Sequence, residues 1–147
     1  MNKIIDIVKL GQLAQNAVTA RVQYGLGCKK PAPITDTRVD FPKIDCSGYV
    51  RWLLAASSGI LIPDGSVCQH QYFLDNYPLQ QILGNSWKQP QNYNKLYMHF
   101  LDPGTQADHI GHVWLTIHNH TIESCGGQGP STNSIDRYTP DATFLLQ

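Results

Sequence analysis

An α+β fold is predicted from the order of the elements, because helical patterns fill the first half of the chain and strand patterns the second. Apolar residues recur at helical spacing before residue 60, whereas short runs rich in β-branched and aromatic residues follow residue 95. A tight turn at 118–120 joins two of these runs. We therefore expect N-terminal helices to pack on a C-terminal antiparallel sheet, within one domain spanning residues 1–147.

Three helices are predicted in the N-terminal half, and two of them lie on either side in sequence of the one that begins at Cys46. The first covers about residues 3–22, although Gly11 weakens it by about 1 kcal/mol relative to alanine. Its apolar spacing comes from Ile4, Ile5, Val8, Ala14 and Val18. The other is short: the turn at 63–66 leaves Ser66 able to cap a helix that continues through Phe73.

Four strands are predicted in the C-terminal half, after a polar and irregular segment at 76–94. They cover residues 95–101, 111–118, 121–125 and 143–146. In the second of them, Val113, Leu115 and Ile117 form an aliphatic set that is expected to be its buried face.

Composition excludes several classes of function. The 147 residues are 41% apolar and carry 11 basic and 11 acidic side chains, so the chain offers no electrostatic attraction to nucleic acid or to an anionic membrane. The segment Met1–Asp6 contains a lysine and an aspartate and leads into no long apolar run, which argues against a signal peptide or a membrane span.

The four cysteines show no metal-binding or redox spacing. Cys28, Cys46, Cys68 and Cys125 contain no C-x-x-C pair, which disfavours a zinc ribbon or a redox dithiol. One or two disulfides remain open, and neither a metal nor an organic cofactor is expected.

Cys46 is the candidate nucleophile because of its place at a helix start. Asp45 is a favourable N-cap residue, and the helix that follows is expected to end near Gly59. Unpaired backbone N–H groups and the positive end of the helix dipole favour thiolate over thiol at such a position.

His112 is the candidate base for this cysteine. An acyl-transfer cysteine needs an imidazole that takes its proton and later protonates the leaving amine. His112 begins a strand and shares a face with His118, but the two lie about 20 Å apart, so one active site uses only one of them. The turn position of His118 favours solvent, which leaves His112.

Glu123 is a possible third member, and its role depends on one loop length. If the turn has two residues, His118 and Asn119, then Ile117 pairs with His120 and Glu123 lies on the face of His112. A carboxylate there orients the imidazole and stabilises imidazolium. A three-residue turn places Glu123 on the opposite face unless a bulge restores it.

These motifs give the chain a resemblance to the NlpC-type papain-like cysteine peptidases, a family that cuts bacterial cell-wall peptides. The matching segments are Tyr-x-x-Gly at 24–27, Asp-Cys-Ser-Gly-aromatic at 45–49, a Pro-containing turn and helix start at 63–69, and Gly-His-Val at 111–113. The resemblance implies a papain-like fold with the nucleophile helix packed on the sheet.

The same resemblance implies roles for individual residues. Cys46 would be the nucleophile and His112 the base, with Glu123 where the family often carries a His, Asn or Gln that orients the base. Tyr24 would line the site near the oxyanion. Asp45 and Ser47 would help to bind the amine end of the peptide.

Simpler interpretations stand beside these roles. Glu123 is alternatively a solvated strand residue or a partner of Arg137, and Tyr24 a packed core residue. Cysteines other than Cys46 default to structural thiols, although Cys125 falls on the face of Glu123. The remaining histidines default to surface or turn positions: His70, His99, His109, His118 and His120.

The expected function is hydrolysis of an amide bond in the peptidoglycan stem peptide through an acyl-enzyme on Cys46. The bond is either the one between D-glutamate and the diamino acid or the muramoyl-L-alanine bond. The alternatives are a cytosolic cysteine deamidase or peptidase that acts on proteins, and a non-catalytic papain-like binding or tail-assembly module.

A site of action outside the cytoplasm is expected to need a special route. Because Met1–Asp6 does not read as a signal peptide, we expect synthesis in the bacterial cytoplasm and delivery to the periplasm or cell wall. An antibacterial secretion-system effector, held in check by an immunity protein, is the preferred route. A phage lysin or delivery with a phage tail is the alternative.

Overall fold

The computed structural model describes residues 3–147, so Met1 and Asn2 of the predicted non-signal segment lie outside it. Three helices precede a five-stranded antiparallel sheet, and a two-stranded parallel pair lies between the first two helices. In chain order the elements are α1 (Ile7–Thr19), β1 (Gln23–Tyr24), β2 (Lys43–Ile44), α2 (Cys46–Ser58), α3 (Ser66–Asn76), β3 (Tyr97–Leu101), β4 (His112–Ile117), β5 (His120–Cys125), β6 (Gly129–Ser131) and β7 (Ala142–Leu145). The predicted α+β order is confirmed.

Helix α1 is shorter than predicted and buries a different set of residues. Asp6 caps it by accepting a hydrogen bond from the backbone N–H of Lys9, so the helix begins at Ile7 rather than at residue 3. Three of the five apolar residues used to predict it are exposed: Ile4, Val8 and Val18. The buried stripe is Leu10, Leu13, Ala14 and Ala17, which also has helical spacing.

Helix α2 has the predicted bounds and forms the centre of the protein. Asp45 caps its start by accepting from the N–H of Gly48 at 2.8 Å, and Gly59 ends it in the left-handed conformation with φ 66°. Trp52 and its neighbours are buried on nearly all sides, because α1 packs on one side of α2 and the sheet on the other.

The predicted cap of α3 is wrong. Ser66 is the first helical residue, and the N-cap position belongs to Gly65, whose φ of 85° favours glycine. The helix also continues past Phe73 to Asn76. Its buried residues, Gln69 and Phe73, face α2 and the sheet, which is enough to hold the helix without a side-chain cap.

The five strands lie in the order β6-β5-β4-β3-β7, and their register decides which side chains meet. His118 and Asn119 form a two-residue turn with φ values of 53° and 63°, and Ile117 pairs with His120. The shorter of the two turns considered from the sequence is therefore the one present. Continued along the strands, this register places Glu123 on the face of His112.

Both faces of the sheet are buried, whereas the sequence predicted one. The aliphatic face of Val113, Leu115 and Ile117 packs against the helices as expected. The opposite face carries Trp114, Thr116 and Glu123, which are at most 1% exposed because the segments 84–94 and 132–140 fold over them.

His99 is the clearest correction on this second face, because it was expected at the surface and is fully buried. Its two ring nitrogens contact the hydroxyls of Thr143 at 2.8 Å and Thr116 at 2.7 Å, and Trp87 and Trp114 lie against its ring. The hydroxyls satisfy both nitrogens of a neutral imidazole, which makes its burial possible.

Strands β1, β2 and β6 were not predicted, since two- or three-residue strands leave no periodic pattern. The parallel pairing of β1 with β2 sets Tyr24 opposite Ile44, two residues before the candidate nucleophile. Gly129 in β6 lies so close to β1 that a Cβ atom there would meet the backbone of Val22 and Gln23. These contacts bring the loop after β5 next to Tyr24.

No helix within residues 3–147 combines the length and the apolarity that are needed to cross a membrane.

Burial of neutral His99 predicts that acid destabilises the fold. Burial, with a smaller contribution from Lys88, lowers the pKa of His99 from 6.5 to about 3. The unfolded chain therefore binds the extra proton between pH 6.5 and 3, and this group makes the free energy of unfolding fall as pH falls through that window. Urea titrations at pH 7 and pH 4.5 should show a loss of about 2–3 kcal/mol from His99.

Replacement of His99 by Gln keeps a hydrogen-bond donor and an acceptor at this position. It should remove the contribution of His99 to the pH dependence of stability, and it should lower the free energy of unfolding at pH 7 by about 1–3 kcal/mol. His120→Gln, at the start of β5, is the matched control and should retain the acid sensitivity. An identical loss between pH 7 and 4.5 in His99→Gln would contradict this account.

Candidate active site

The candidate nucleophile lies where the structure turns from β2 into α2. Ile44 ends the strand, Asp45 caps the helix, and Cys46 occupies its first position. Cys46 is 7% exposed, so its thiol lies in a mostly dry environment at the positive end of the helix dipole. The local sequence dictates this placement, because Asp45 forms the cap that was predicted for it.

His112 and Glu123 meet across the hairpin of β4 and β5. The Nε2 atom of His112 lies 2.9 Å from Oε1 of Glu123, and Cys46 lies close enough to His112 to help raise the pKa of its imidazole. Since Nε2 faces the carboxylate, Nδ1 is the ring nitrogen left for the thiol. The structure thus brings the three predicted catalytic residues together, with His112 paired to Glu123 and close to Cys46.

Glu123 is buried completely yet well satisfied. Besides His112, its carboxylate accepts hydrogen bonds from Thr121 Oγ1 at 2.5 Å, Tyr138 OH at 2.7 Å and Asn133 Nδ2 at 3.1 Å. Burial raises the pKa of Glu123, but these donors lower it more strongly, to about 2. A carboxylate so held is ionised at neutral pH.

Both simpler interpretations of Glu123 are therefore wrong. It is not solvated, and its side-chain partners do not include Arg137, which donates instead to Tyr138 OH and to Oδ1 of Asn133. The guanidinium supports two of the groups that hold Glu123. The sequence did not predict this arrangement, because Asn133 and Tyr138 lie in an irregular segment that has no periodic pattern.

The environment favours the protonated form of His112. Burial lowers its pKa, but the hydrogen bonds and charges of Cys46 and Glu123 outweigh burial and raise the pKa from 6.5 to about 9. At neutral pH this arrangement stabilises imidazolium next to Cys46.

Tyr24 lies in the same cleft and reaches it through the pairing of β1 with β2. Burial and the nearby charges of Cys46 and Asp45 raise the pKa of Tyr24 to about 12, so the phenol keeps its proton and can donate a hydrogen bond. This is the property required of a group that contacts an oxyanion.

Asp45 and Ser47 flank the nucleophile but are occupied by another residue. Both are buried, and the ammonium group of Lys29 lies 2.6 and 2.7 Å from the two oxygens of Asp45 and 2.9 Å from Oγ of Ser47. Asp45 also accepts from the N–H groups of Gly27 and Gly48. Lys29 had not been singled out in the sequence.

The open groove beside His112 has a volume of about 360 Å³, and its lining mixes charged and polar residues with apolar ones. Tyr24, Asp108, His112, Cys125, Arg137 and Tyr138 are among its lining residues.

All four cysteines fall within the described chain and are free thiols, so the disulfides left open from the sequence are not formed in this structure. Cys125 lines the groove and contacts Gln128 and Ser131, Cys28 is half-buried, and Cys68 is exposed. Among residues 3–147, no three His, Cys, Asp or Glu side chains are grouped as metal ligands.

Comparison with known proteins finds a match by structure but none by sequence. No family model matches the sequence, and no curated protein matches it either. A solved structure does match, the crystal structure of the NlpC/p60 domain of peptidoglycan hydrolase SagA. The identity is 18%, the TM-score is 0.62, and the match covers 95% of this chain and 98% of that domain. The chain has the NlpC/p60 fold.

The NlpC/p60 fold is the one that the sequence motifs implied, with N-terminal helices and the Cys46 helix packed on a C-terminal antiparallel sheet. At this level of identity the similarity establishes the fold alone. The chemistry of Cys46, His112 and Glu123 rests on their geometry.

The charge of Glu123 should control the ionisation of His112. In Glu123→Gln, loss of the carboxylate should lower the pKa of His112 from about 9 by about 1–3 pH units, because an adjacent opposite charge contributes that much. NMR titration of labelled histidine measures this directly. Tyr138→Phe removes one donor to Glu123 but keeps its charge, so the His112 titration should move much less. Equal His112 titration curves in Glu123→Gln and in the unchanged protein would contradict a charge interaction between Glu123 and His112.

Proposed function

We propose that the protein is a cysteine hydrolase that cleaves an amide bond of the peptidoglycan stem peptide. The observation that carries the proposal is the buried pair of Glu123 and His112 beside Cys46, with His112 lining an open groove. The fold it shares with a domain of a peptidoglycan hydrolase supports the choice of substrate.

The first half of the reaction forms an acyl-enzyme. The thiolate of Cys46 attacks the substrate carbonyl, and negative charge moves to its oxygen. The hydroxyl of Tyr24 and the backbone N–H of Cys46, which has no acceptor within the helix, are the donors available to that oxygen. When the tetrahedral intermediate collapses, the C–N bond breaks, and His112 transfers its Nδ1 proton to the leaving amine.

The second half releases the acid. Neutral His112 removes a proton from water, the resulting hydroxide attacks the thioester carbonyl, and the C–S bond breaks to regenerate the Cys46 thiolate beside imidazolium. Glu123 stays ionised throughout, because its pKa is about 2, and stabilises each imidazolium state.

Purified protein incubated with peptidoglycan sacculi should release peptide fragments with new amine ends, and Cys46→Ala should release none. Mass spectrometry of the fragments distinguishes cleavage between D-glutamate and the diamino acid from cleavage of the muramoyl-L-alanine bond. His112→Ala should also abolish release, whereas Glu123→Gln should slow it by about tenfold or more because the imidazolium loses its partner.

If sacculi stay intact, labelling with a thiol-reactive probe shows whether Cys46 is an active nucleophile. Intact sacculi with rapid labelling of Cys46 at pH 6 would show an active thiolate with another substrate, as in a protein deamidase or peptidase. Intact sacculi without labelling would indicate a binding module and contradict the proposed hydrolysis.

We also propose that the hydrolase acts in the periplasm or cell wall of a target cell, after delivery by a secretion system or a phage particle. The net charge of zero gives no attraction to anionic wall polymers. Delivery to the wall makes such attraction unnecessary. For a secretion-system effector, the expected partner is a cognate immunity protein that covers Cys46 and the groove beside His112.

Deletion of the gene should reduce competition against sensitive neighbours, and the gene encoding Cys46→Ala should fail to restore it. Expression directed to the periplasm should lyse cells, whereas the same amount of protein kept in the cytoplasm should not. Unchanged competition after deletion would contradict the effector role while leaving hydrolysis of sacculi untouched.

A further inference from the structure

An internal ammonium group fills an acidic cage beside the nucleophile. The Nζ atom of Lys29 lies 2.6 Å from Oδ2 of Asp45, 2.9 Å from Oγ of Ser47 and 2.9 Å from Oδ1 of Asp64. An ammonium group has three N–H donors, and three residues accept them. The cage therefore holds one cation and has no place for a second.

The backbone is shaped around this lysine. A Cβ atom on Gly48 would lie 2.9 Å from Cδ of Lys29 and 2.8 Å from Oδ1 of Asp45, both too close for ordinary contact. The lysine stem lies across the first turn of α2, where glycine leaves room for it. Its position is therefore part of the packing at the helix start.

The surroundings of Lys29 favour its charged form. Burial lowers the pKa of Lys29, but the hydrogen bonds and charges of Asp45 and Asp64 more than compensate and raise it. Asp45 is 5% exposed and, without Lys29, would be a buried carboxylate with no cation beside it. Such a group attracts an ammonium ion strongly.

We propose that Lys29 is a specificity-determining residue that excludes peptides with a free terminal amine and favours stem peptides whose first nitrogen is acylated. Asp45 and Ser47 lie on either side of Cys46 in the chain, so the cage adjoins the nucleophile. A substrate ammonium directed at this cage meets the charge of Lys29 at contact distance and must break its hydrogen bonds. An acylated nitrogen carries no charge and avoids that cost.

This inference rests on the proposed function and narrows its substrate class. The preferred substrate is then the stem peptide still joined to the glycan, where the alanine nitrogen is an amide, rather than the free peptide released by another hydrolase.

Calorimetric binding tests the inference in the Cys46→Ala background, which prevents turnover. The two probes are L-Ala-γ-D-Glu-diamino acid with a free amine and the same peptide with its alanine nitrogen acetylated. With Lys29 present, the acetylated peptide should bind at least about tenfold more tightly, because the free amine must displace a charge-assisted hydrogen bond of Lys29. In Lys29→Met, the free-amine peptide should gain at least about tenfold while the acetylated one changes little.

Lys30→Met is the matched control. The Lys30 ammonium is also buried and lies 2.6 Å from Asp40, but away from the cage, so its loss should leave the ratio of the two affinities unchanged. A purely structural role for Lys29 would weaken both peptides equally and would overturn the proposal.

Equal binding of the two peptides to the protein that retains Lys29 would also overturn it, without reference to any Lys29 variant. If sacculi are hydrolysed in that case, the proposed function stands and only the specificity inference fails. If neither peptide binds and sacculi stay intact, both fail.

Discussion

The contact between His112 and Glu123 depends on the two-residue turn at His118 and Asn119, and the active site depends on that contact. Side chains alternate between the faces of a strand, so a shift of one residue would turn Glu123 toward the aliphatic face of the sheet. There its carboxylate would be buried among Leu115 and its neighbours without donors. The cost of such an uncompensated charge disfavours the alternative register and couples the turn to the site.

The second buried face of the sheet follows from this polar pair. A completely buried carboxylate needs several donors, and Thr121, Asn133 and Tyr138 supply them from β5 and from the segment that folds over it. On the same face, His99 lies between Thr116 and Thr143 with both ring nitrogens satisfied. The segments 84–94 and 132–140 therefore act as part of the site, because they keep water from Glu123 and hold its donors in place.

A second charged cluster governs the other side of the nucleophile. The carboxylate of Asp45 caps α2, ties the loop at Gly27 to it, and binds Lys29. One side chain thus sets the start of the helix, the position of Cys46 beside it and the position of the Lys29 ammonium. The two clusters differ in the sign of the charge they stabilise: Glu123 stabilises a cation on His112, whereas Lys29 neutralises the anion of Asp45 next to Cys46.

The sequence by itself determined the order of the elements, the bounds of α2 and the candidates Cys46, His112 and Glu123. These depend on local physics: the capping ability of Asp45 and the helical and strand periodicity of the apolar residues. Only the tertiary structure decided which of two turn lengths was present, that Glu123 and His99 are buried, and that Lys29 fills the cage at Asp45. Those facts depend on contacts between residues far apart in the chain, such as Glu123 with Tyr138 or Lys29 with Ser47, and short-range patterns carry no record of them.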